Sequence, residues 1–281
     1  MRRLSRCYLL ALSFALGATS NALAGDAVFT TIDFPGASST SAWSINARGD
    51  IVGFYTTAGL THGFLLSGGN FTTIDFPGAT STQAFHIDAR GDIGGSYVSA
   101  GVTHGFLLSR DNFTTIDFPG AARTEVLGIN VRGDIVGRYT TAGVTHGFLL
   151  SGGQFSTIDV PGATSTNAWG INPQGDIVGI YTSAGVAHGF LLSGGQFGSI
   201  DFPGASLTLA LDINPRGDIV GRYVAVGMSP GYLLAGGEFT TIDFPGATFT
   251  GAAGINEHGD IVGRYTSADG VLHGFLLVGF P

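Results

Sequence analysis

A segment reading Phe-Thr-Thr-Ile-Asp-Phe-Pro-Gly-Ala, with small variations, recurs with Phe29, Phe71, Phe113, Phe155, Phe197 and Phe239 at its head, a spacing of 42 residues without drift. A period of roughly 20–50 residues marks one supersecondary unit that buries its apolar surface only by stacking on copies of itself. Each unit continues through a short polar stretch, a small-plus-aromatic segment ending in Ile-Asn or Ile-Asp, a Gly-Asp-Ile-Val-Gly segment, a Tyr and a His-Gly-Phe-Leu-Leu segment. Those are four strand candidates, a to d, at about 40 to 45, 50 to 56, 61 to 67 and 70 to 76 in the first full unit. The turns agree. Asn46-Ala47-Arg48-Gly49, Asn172-Pro173-Gln174-Gly175 and Asn214-Pro215-Arg216-Gly217 have the residues of type I turns closed by a left-handed Gly. Ala58-Gly59 and Gly68-Gly69 suit two-residue hairpin turns.

With those turns the registers follow by counting. Tyr55 lies opposite His62 and His62 opposite Asp75; Gly53, Phe64 and Thr73 share a row, as do Ile51, Leu66 and Phe71, while Val52, Phe54, Leu65 and Ile74 take the other face. Both faces are largely apolar, so each sheet must be covered twice, as a blade between neighbouring blades is. The prediction is an all-β, six-bladed β-propeller of 42-residue, four-stranded repeats, with residues 25 to 281 as one domain. The ends support it: the chain carries a lone strand d at Phe29 to Phe34 and finishes with a strand c, His273 to Leu277, that has no d of its own, so the N-terminal strand closes the ring. The alternative is two β-trefoils of three repeats each, which would need a boundary between units three and four, where Phe155 follows Gln154 with no linker.

Composition narrows the class. With 47 Gly and only 11% charged residues in 281, long helices, coiled coils and ordinary disordered tails are disfavoured. A net charge of -8, carried by 12 Arg and no Lys against 20 acids, disfavours nucleic acid and anionic membranes as partners. Arg2, Arg3 and Arg6, the apolar run Tyr8 to Ala18 and the small-x-small site Ala22-Leu23-Ala24 predict a signal peptide over residues 1 to 24, with the mature chain beginning at Gly25. Cys7 lies inside that segment, so disulfides are not expected to hold the domain together. The expectation is a secreted protein, extracellular or periplasmic, monomeric and without a membrane anchor.

The units resemble the bacterial extracellular HAF repeats, whose consensus joins a His-Ala-Phe strand to an Ile-Asn-x-x-Gly segment ending in Val-Gly. The matching residues here are His62-Gly63-Phe64 and Ile45-Asn46-Ala47-Arg48-Gly49-Asp50-Ile51-Val52-Gly53, with Gly for Ala in the name-giving triplet. The resemblance covers about 29 to 281. It implies secretion and a β-rich repeat, and it supplies no activity, cofactor or catalytic residue.

Most chemistry-bearing residues repeat, which favours structural roles. The pairs His62 and Asp75, His104 and Asp117, His146 and Asp159, His188 and Asp201, and His273 and Asp33 face each other across strands c and d, with Tyr55, Tyr97, Tyr139, Tyr181 and Tyr265 facing each His from strand b. A Tyr-His-Asp line suggests a catalytic relay, but five copies in one chain are more simply a buried hydrogen-bond network fixing each blade's register. In unit five Pro230 replaces the His and leaves Asp243 without that partner. Arg-Gly-Asp occurs at 48 to 50, 90 to 92, 132 to 134 and 216 to 218, always in the a–b turn; two other units keep Gly-Asp with Gln174 or His258 before it, which points to turn chemistry rather than adhesion. The same turns lack the alternating carboxylates of calcium loops. No metal site, cofactor site, Walker loop, nucleophile elbow or sialidase-type Asp box is legible.

Variation is the better guide to a ligand. The d–a loop and the start of strand a read SSTSAW, TSTQAF, ARTEVL, TSTNAW, SLTLAL and TFTGAA, and in a propeller these residues ring the mouth of the central channel. Gln83, Arg123, Glu125 and Asn167 are the candidate ligand-binding residues, Arg123 with Glu125 being the opposite-charge pair of this loop position. Trp43, Phe85 and Trp169 share one position, where they could stack on sugars or, the reading preferred, fill gaps between blades. The functional expectation is a secreted, non-enzymatic propeller that binds a glycan, peptide or protein partner; the alternatives are a propeller hydrolase or lyase acting on polysaccharide, and a structural surface or matrix protein.

Overall fold

The computed structural model describes residues 27–280, and the predicted signal segment lies outside them. The first strand is β1 (Val28–Ile32). Blade 1 follows as β2 (Ser39–Ile45), β3 (Ile51–Thr57), β4 (Leu60–Ser67) and β5 (Asn70–Ile74), and blade 2 as β6 (Ser81–Ile87), β7 (Ile93–Ser99), β8 (Val102–Ser109) and β9 (Asn112–Ile116). Blade 3 comprises β10 (Arg123–Ile129), β11 (Ile135–Thr141), β12 (Val144–Ser151) and β13 (Gln154–Ile158); blade 4, β14 (Ser165–Ile171), β15 (Ile177–Ser183), β16 (Val186–Ser193) and β17 (Gln196–Ile200). Blade 5 runs through β18 (Leu207–Ile213), β19 (Ile219–Val224), β20 (Gly231–Ala235) and β21 (Glu238–Ile242), and the chain ends in β22 (Phe249–Ile255), β23 (Ile261–Thr266) and β24 (Leu272–Val278). Each blade is a four-stranded antiparallel sheet in chain order, and β1 adds to β24 to complete the sixth. The all-β, six-bladed propeller is therefore the fold, its ring is closed by β1, and the trefoil alternative falls.

The counted registers hold. Tyr55 pairs with His62, Phe64 stands between Gly53 and Thr73, and Leu66 between Ile51 and Phe71. The extra residue before β24 leaves Tyr265 opposite His273. The hairpin turns have the left-handed pair they require, with φ of 48° at Ala58 and 80° at Gly59. Apolar residues of adjacent blades meet on both faces of every sheet: Val52 and Ile74 of blade 1 pack with Ala84, Ile87 and Phe106 of blade 2. At the closure Ile32 and Val262 pack with Ala42, Ile45 and Phe64.

Strands β2, β6, β10, β14, β18 and β22 stand side by side around the axis. In each, the pairing to the second strand slips by one residue, so that Trp43, Phe85, Leu127, Trp169, Leu211 and Ala253 are bulge residues. The bulge re-aims these side chains to the axis, where Trp43 stacks on Trp169 of the opposite blade at 5.4 Å and meets Phe85 edge-on at 5.3 Å. This corrects the expectation for Trp43, Phe85 and Trp169: they plug the channel itself rather than the gaps between blades.

Candidate functional site

The plug divides the channel into two ends. At the a–b end the turns form a lock: Asn46 Oδ1 accepts from the N–H groups of Arg48 and Asp50, and its Nδ2 donates to Asp50 and, at 3.4 Å, to the Asp88 carbonyl of the next blade. Arg48 Nε donates to Asp50 at 2.9 Å and its Nη1 to the Ala89 carbonyl, while Ser67 Oγ donates to the same Asp50 at 2.5 Å. Burial raises the Asp50 pKa, but the bonds from Ser67, Asn46 and Arg48 outweigh it and hold the carboxyl below its ordinary value. Asp134 follows the same pattern with Ser151, Asn130 and Arg132. The Asp of Arg-Gly-Asp is thus consumed within the protein. Just inside, a cavity of about 110 Å³ is lined by the ring Ile45, Ile87, Ile129, Ile171, Ile213 and Ile255 and holds His86 with Asp212, 3.5 Å apart. Asp212 also accepts from the Ile213 and Ile255 N–H groups.

The Tyr-His-Asp lines sit elsewhere, on the outer rim of the d–a face, and they are not buried networks. His146 Nδ1 lies 2.9 Å from Asp159, with their side chains 23% and 45% exposed. The pairs His62 and Asp75, His104 and Asp117, His188 and Asp201, and His273 and Asp33 share this geometry. Tyr139 Oη bonds Thr157 at 2.8 Å instead of the His, whose ring it only stacks against at 5.1 Å, and its other face is covered by Phe118 at 3.6 Å. The expected Tyr-to-His bond yields because the strand register places Thr, one row in, at the phenol's reach. In blade 5, where Pro230 stands, Asp243 takes Thr250 as its donor.

Above the plug, at the d–a mouth, the ladder sets each candidate residue against a side chain of the second strand: Ser41 against Phe54, Gln83 against Ser96, Glu125 against Arg138, Asn167 against Ile180, Leu209 against Arg222 and Gly251 against Arg264. Arg123 Nη2 donates to Glu125 Oε1 at 2.7 Å, Arg138 Nε donates to Glu125 Oε2, and Arg138 Nη1 reaches Asn167 Oδ1 at 3.4 Å. Burial raises the Glu125 pKa, and Arg138 and Arg123 more than offset this and keep it below the ordinary value. Only 2% exposed, Glu125 cannot itself meet a large ligand; it holds the two guanidiniums at the rim. Gln83 stands in the neighbouring blade, outside this network. Sequence reasoning missed Arg138, Arg222 and Arg264, although the same register counting reaches them from the d–a positions.

Solved structures confirm the fold. The chain is similar to a TolB-type protein from Agrobacterium tumefaciens (16% identity, 86% of this chain and 90% of that one, TM-score 0.60). It is similar also to a catalytically inactive virginiamycin B lyase from Staphylococcus aureus (12%, 90% and 100%, 0.51) and to the β-propeller domain of the Trilobed protease from Pyrococcus furiosus (12%, 85% and 96%, 0.53). At these identities the likeness is one of fold alone. No family model matches the chain, and no curated protein does.

Proposed function

We propose that this chain is a secreted, non-enzymatic propeller that binds a glycan, peptide or protein partner at the d–a mouth of its channel. The observation that carries the reading is the Arg123, Glu125, Arg138 and Asn167 assembly across blades 3 and 4. No other blade carries a carboxylate at the position of Glu125, so the fold does not need it. A buried ion pair is often neutral or unfavourable for stability compared with apolar residues of like size, so its presence here fits a task at the rim. The channel's carboxylates argue against hydrolysis: Glu125 lies across the plug from Asp88, Asp212 and Glu257, and Glu125, Asp88 and Asp212 are each engaged by donors of their own. Export through residues 1 to 24 and kinship with HAF-type repeats belong to the same proposal and rest on the sequence patterns given above.

The test is a glycan and peptide array probed with the mature protein, followed by titration of the ligand found. Arg123→Ala combined with Gln83→Ala should weaken binding by about 1 kcal/mol or more, as loss of rim contacts does, and Arg48→Ala should leave it unchanged. The opposite pattern moves the site to the a–b turns and ends this reading. A second reading, a polysaccharide hydrolase or lyase, draws on the His86 and Asp212 pair. Turnover of a polysaccharide that His86→Ala abolishes would establish it.

A further inference from the structure

Arg48, Arg90, Arg123, Arg132, Arg138 and Arg216 each contact a carboxylate. Arg222 and Arg264 contact none among the described residues, although they are neighbours at the d–a mouth of a protein whose net charge is -8. The Arg264 guanidinium lies 4.2 Å over the Trp43 ring and 5.9 Å from the Phe249 ring, and its Nη1 is buried with no hydrogen-bond partner. Arg222 lies 5.6 Å from the centroid of the same Phe249 ring and donates only to Ser229 Oγ, at 3.0 Å. Burial, with Arg222 adding like-charge repulsion, pushes Arg264 down to about 10. Two adjacent, partly desolvated cations without an anion are unfavourable in the empty protein. The strand beside them sets no side chain against Arg264: its partner there is Gly251, where a Cβ would already press on the Phe249 ring at 3.1 Å, and both arginines keep part of their surface exposed.

We infer that Arg222 and Arg264 form a carboxylate subsite that takes the acid group of a uronate-bearing glycan, an inference that rests on the binding role proposed for the mouth. A planar guanidinium fork suits a carboxylate, and the flanking Phe249 ring with the Gln83 and Asn167 amides suits the face and hydroxyls of a sugar. A peptide would instead call for apolar side-chain pockets.

The experiment is titration of the folded protein with trigalacturonate, with its methyl ester and with a hexaglutamate peptide, followed by calorimetry and by the fluorescence of Trp43 and Trp169. Trigalacturonate should bind, and its ester about tenfold more weakly or worse, the loss expected when a charged hydrogen bond is removed. Arg222→Gln should give a similar loss for the acid and little change for the ester, while Arg110→Gln, in an exposed turn of the opposite face, should match wild type. Arg264→Gln should act more strongly; because Arg264 packs on the plug, the less buried Arg222→Gln decides the matter if that variant fails to fold. Equal binding of acid and ester, an unaffected Arg222→Gln, binding of the peptide alone, or no binding at all would each overturn the inference. In the first two cases a loss on Arg123→Ala with Gln83→Ala would still uphold the mouth as the binding site.

Discussion

The last Gly of a Gly-Asp-Ile-Val-Gly segment, set beside a Gly of an outer strand, offers a sharp test, because the same substitution at the two should move stability in opposite directions. Gly137 faces the bulge of β10, and a Cβ built on it would lie 2.0 Å from the Glu125 carbonyl oxygen and 2.7 Å from Phe148 Cε1. The oxygen belongs to the paired backbone and Phe148 is fully buried, so neither can swing aside. To restore contact, β10 and β11 must part by about 1 Å, which combines overpacking of about 1–3 kcal/mol with the weakening of two or so ladder bonds of about 1 kcal/mol each. Gly137→Ala should therefore destabilise by about 3–5 kcal/mol, a large share of an ordinary domain's stability. Gly198, in β17, is exposed, has no left-handed φ, and its added Cβ would come no nearer than 3.9 Å to the Leu191 carbonyl. There Gly198→Ala should stabilise by about 0.4–1 kcal/mol by restricting the unfolded chain. Urea unfolding of the two variants beside wild type measures both, and in thermal melts the first should fall by about 6–20 °C. If Gly137→Ala stays within about 1 kcal/mol of wild type, the close approach of these strands does not govern the fold as argued.

Two further outcomes can be stated. His146→Ala should cost less than about 1 kcal/mol, the usual worth of an exposed ion pair, whereas a loss of several kcal/mol in urea unfolding would restore the buried-network reading. Because Asp50 and Asp134 have lowered pKa values in the folded protein, their stabilisation is complete above the unfolded carboxylate value and is lost as pH falls through the folded one. Stability should accordingly decline below about pH 4, and Asp134→Asn should flatten that decline; an acid limb of unchanged slope would refute the assignment.

The fold was legible because a 42-residue period without drift fixes turn positions, and turn positions fix register. Tyr55 opposite His62 and the closure of the last blade by Phe29 to Phe34 both follow from that counting. What it missed were consequences of depth and of the bulge. Counting places Tyr139, His146 and Asp159 in one row, but it does not tell that the row lies at a wet rim or that Thr157 captures the phenol. The bulge at Trp43 sends the ring to the axis, which no simple alternation predicts. At the site, Arg123 and Glu125 stood out within one loop, while Arg138, Arg222 and Arg264 sit about a dozen residues away on the next strand, and only the ladder brings them to the mouth.

Closure by β1 also sets an order of events. Val28 pairs with Val278, so β1 has its partner only once a strand some 240 residues further along the chain has been made. Until then β1 must wait unpaired, and blade 1 lacks the Ile32 and Val262 that cover its flank. Blades can form one by one from local hairpins, but the ring is a single long-range event, expensive in loop entropy. Its vulnerability is then kinetic: the nascent chain presents two mismatched edges, and a second copy at high concentration could supply the missing strand before its own arrives.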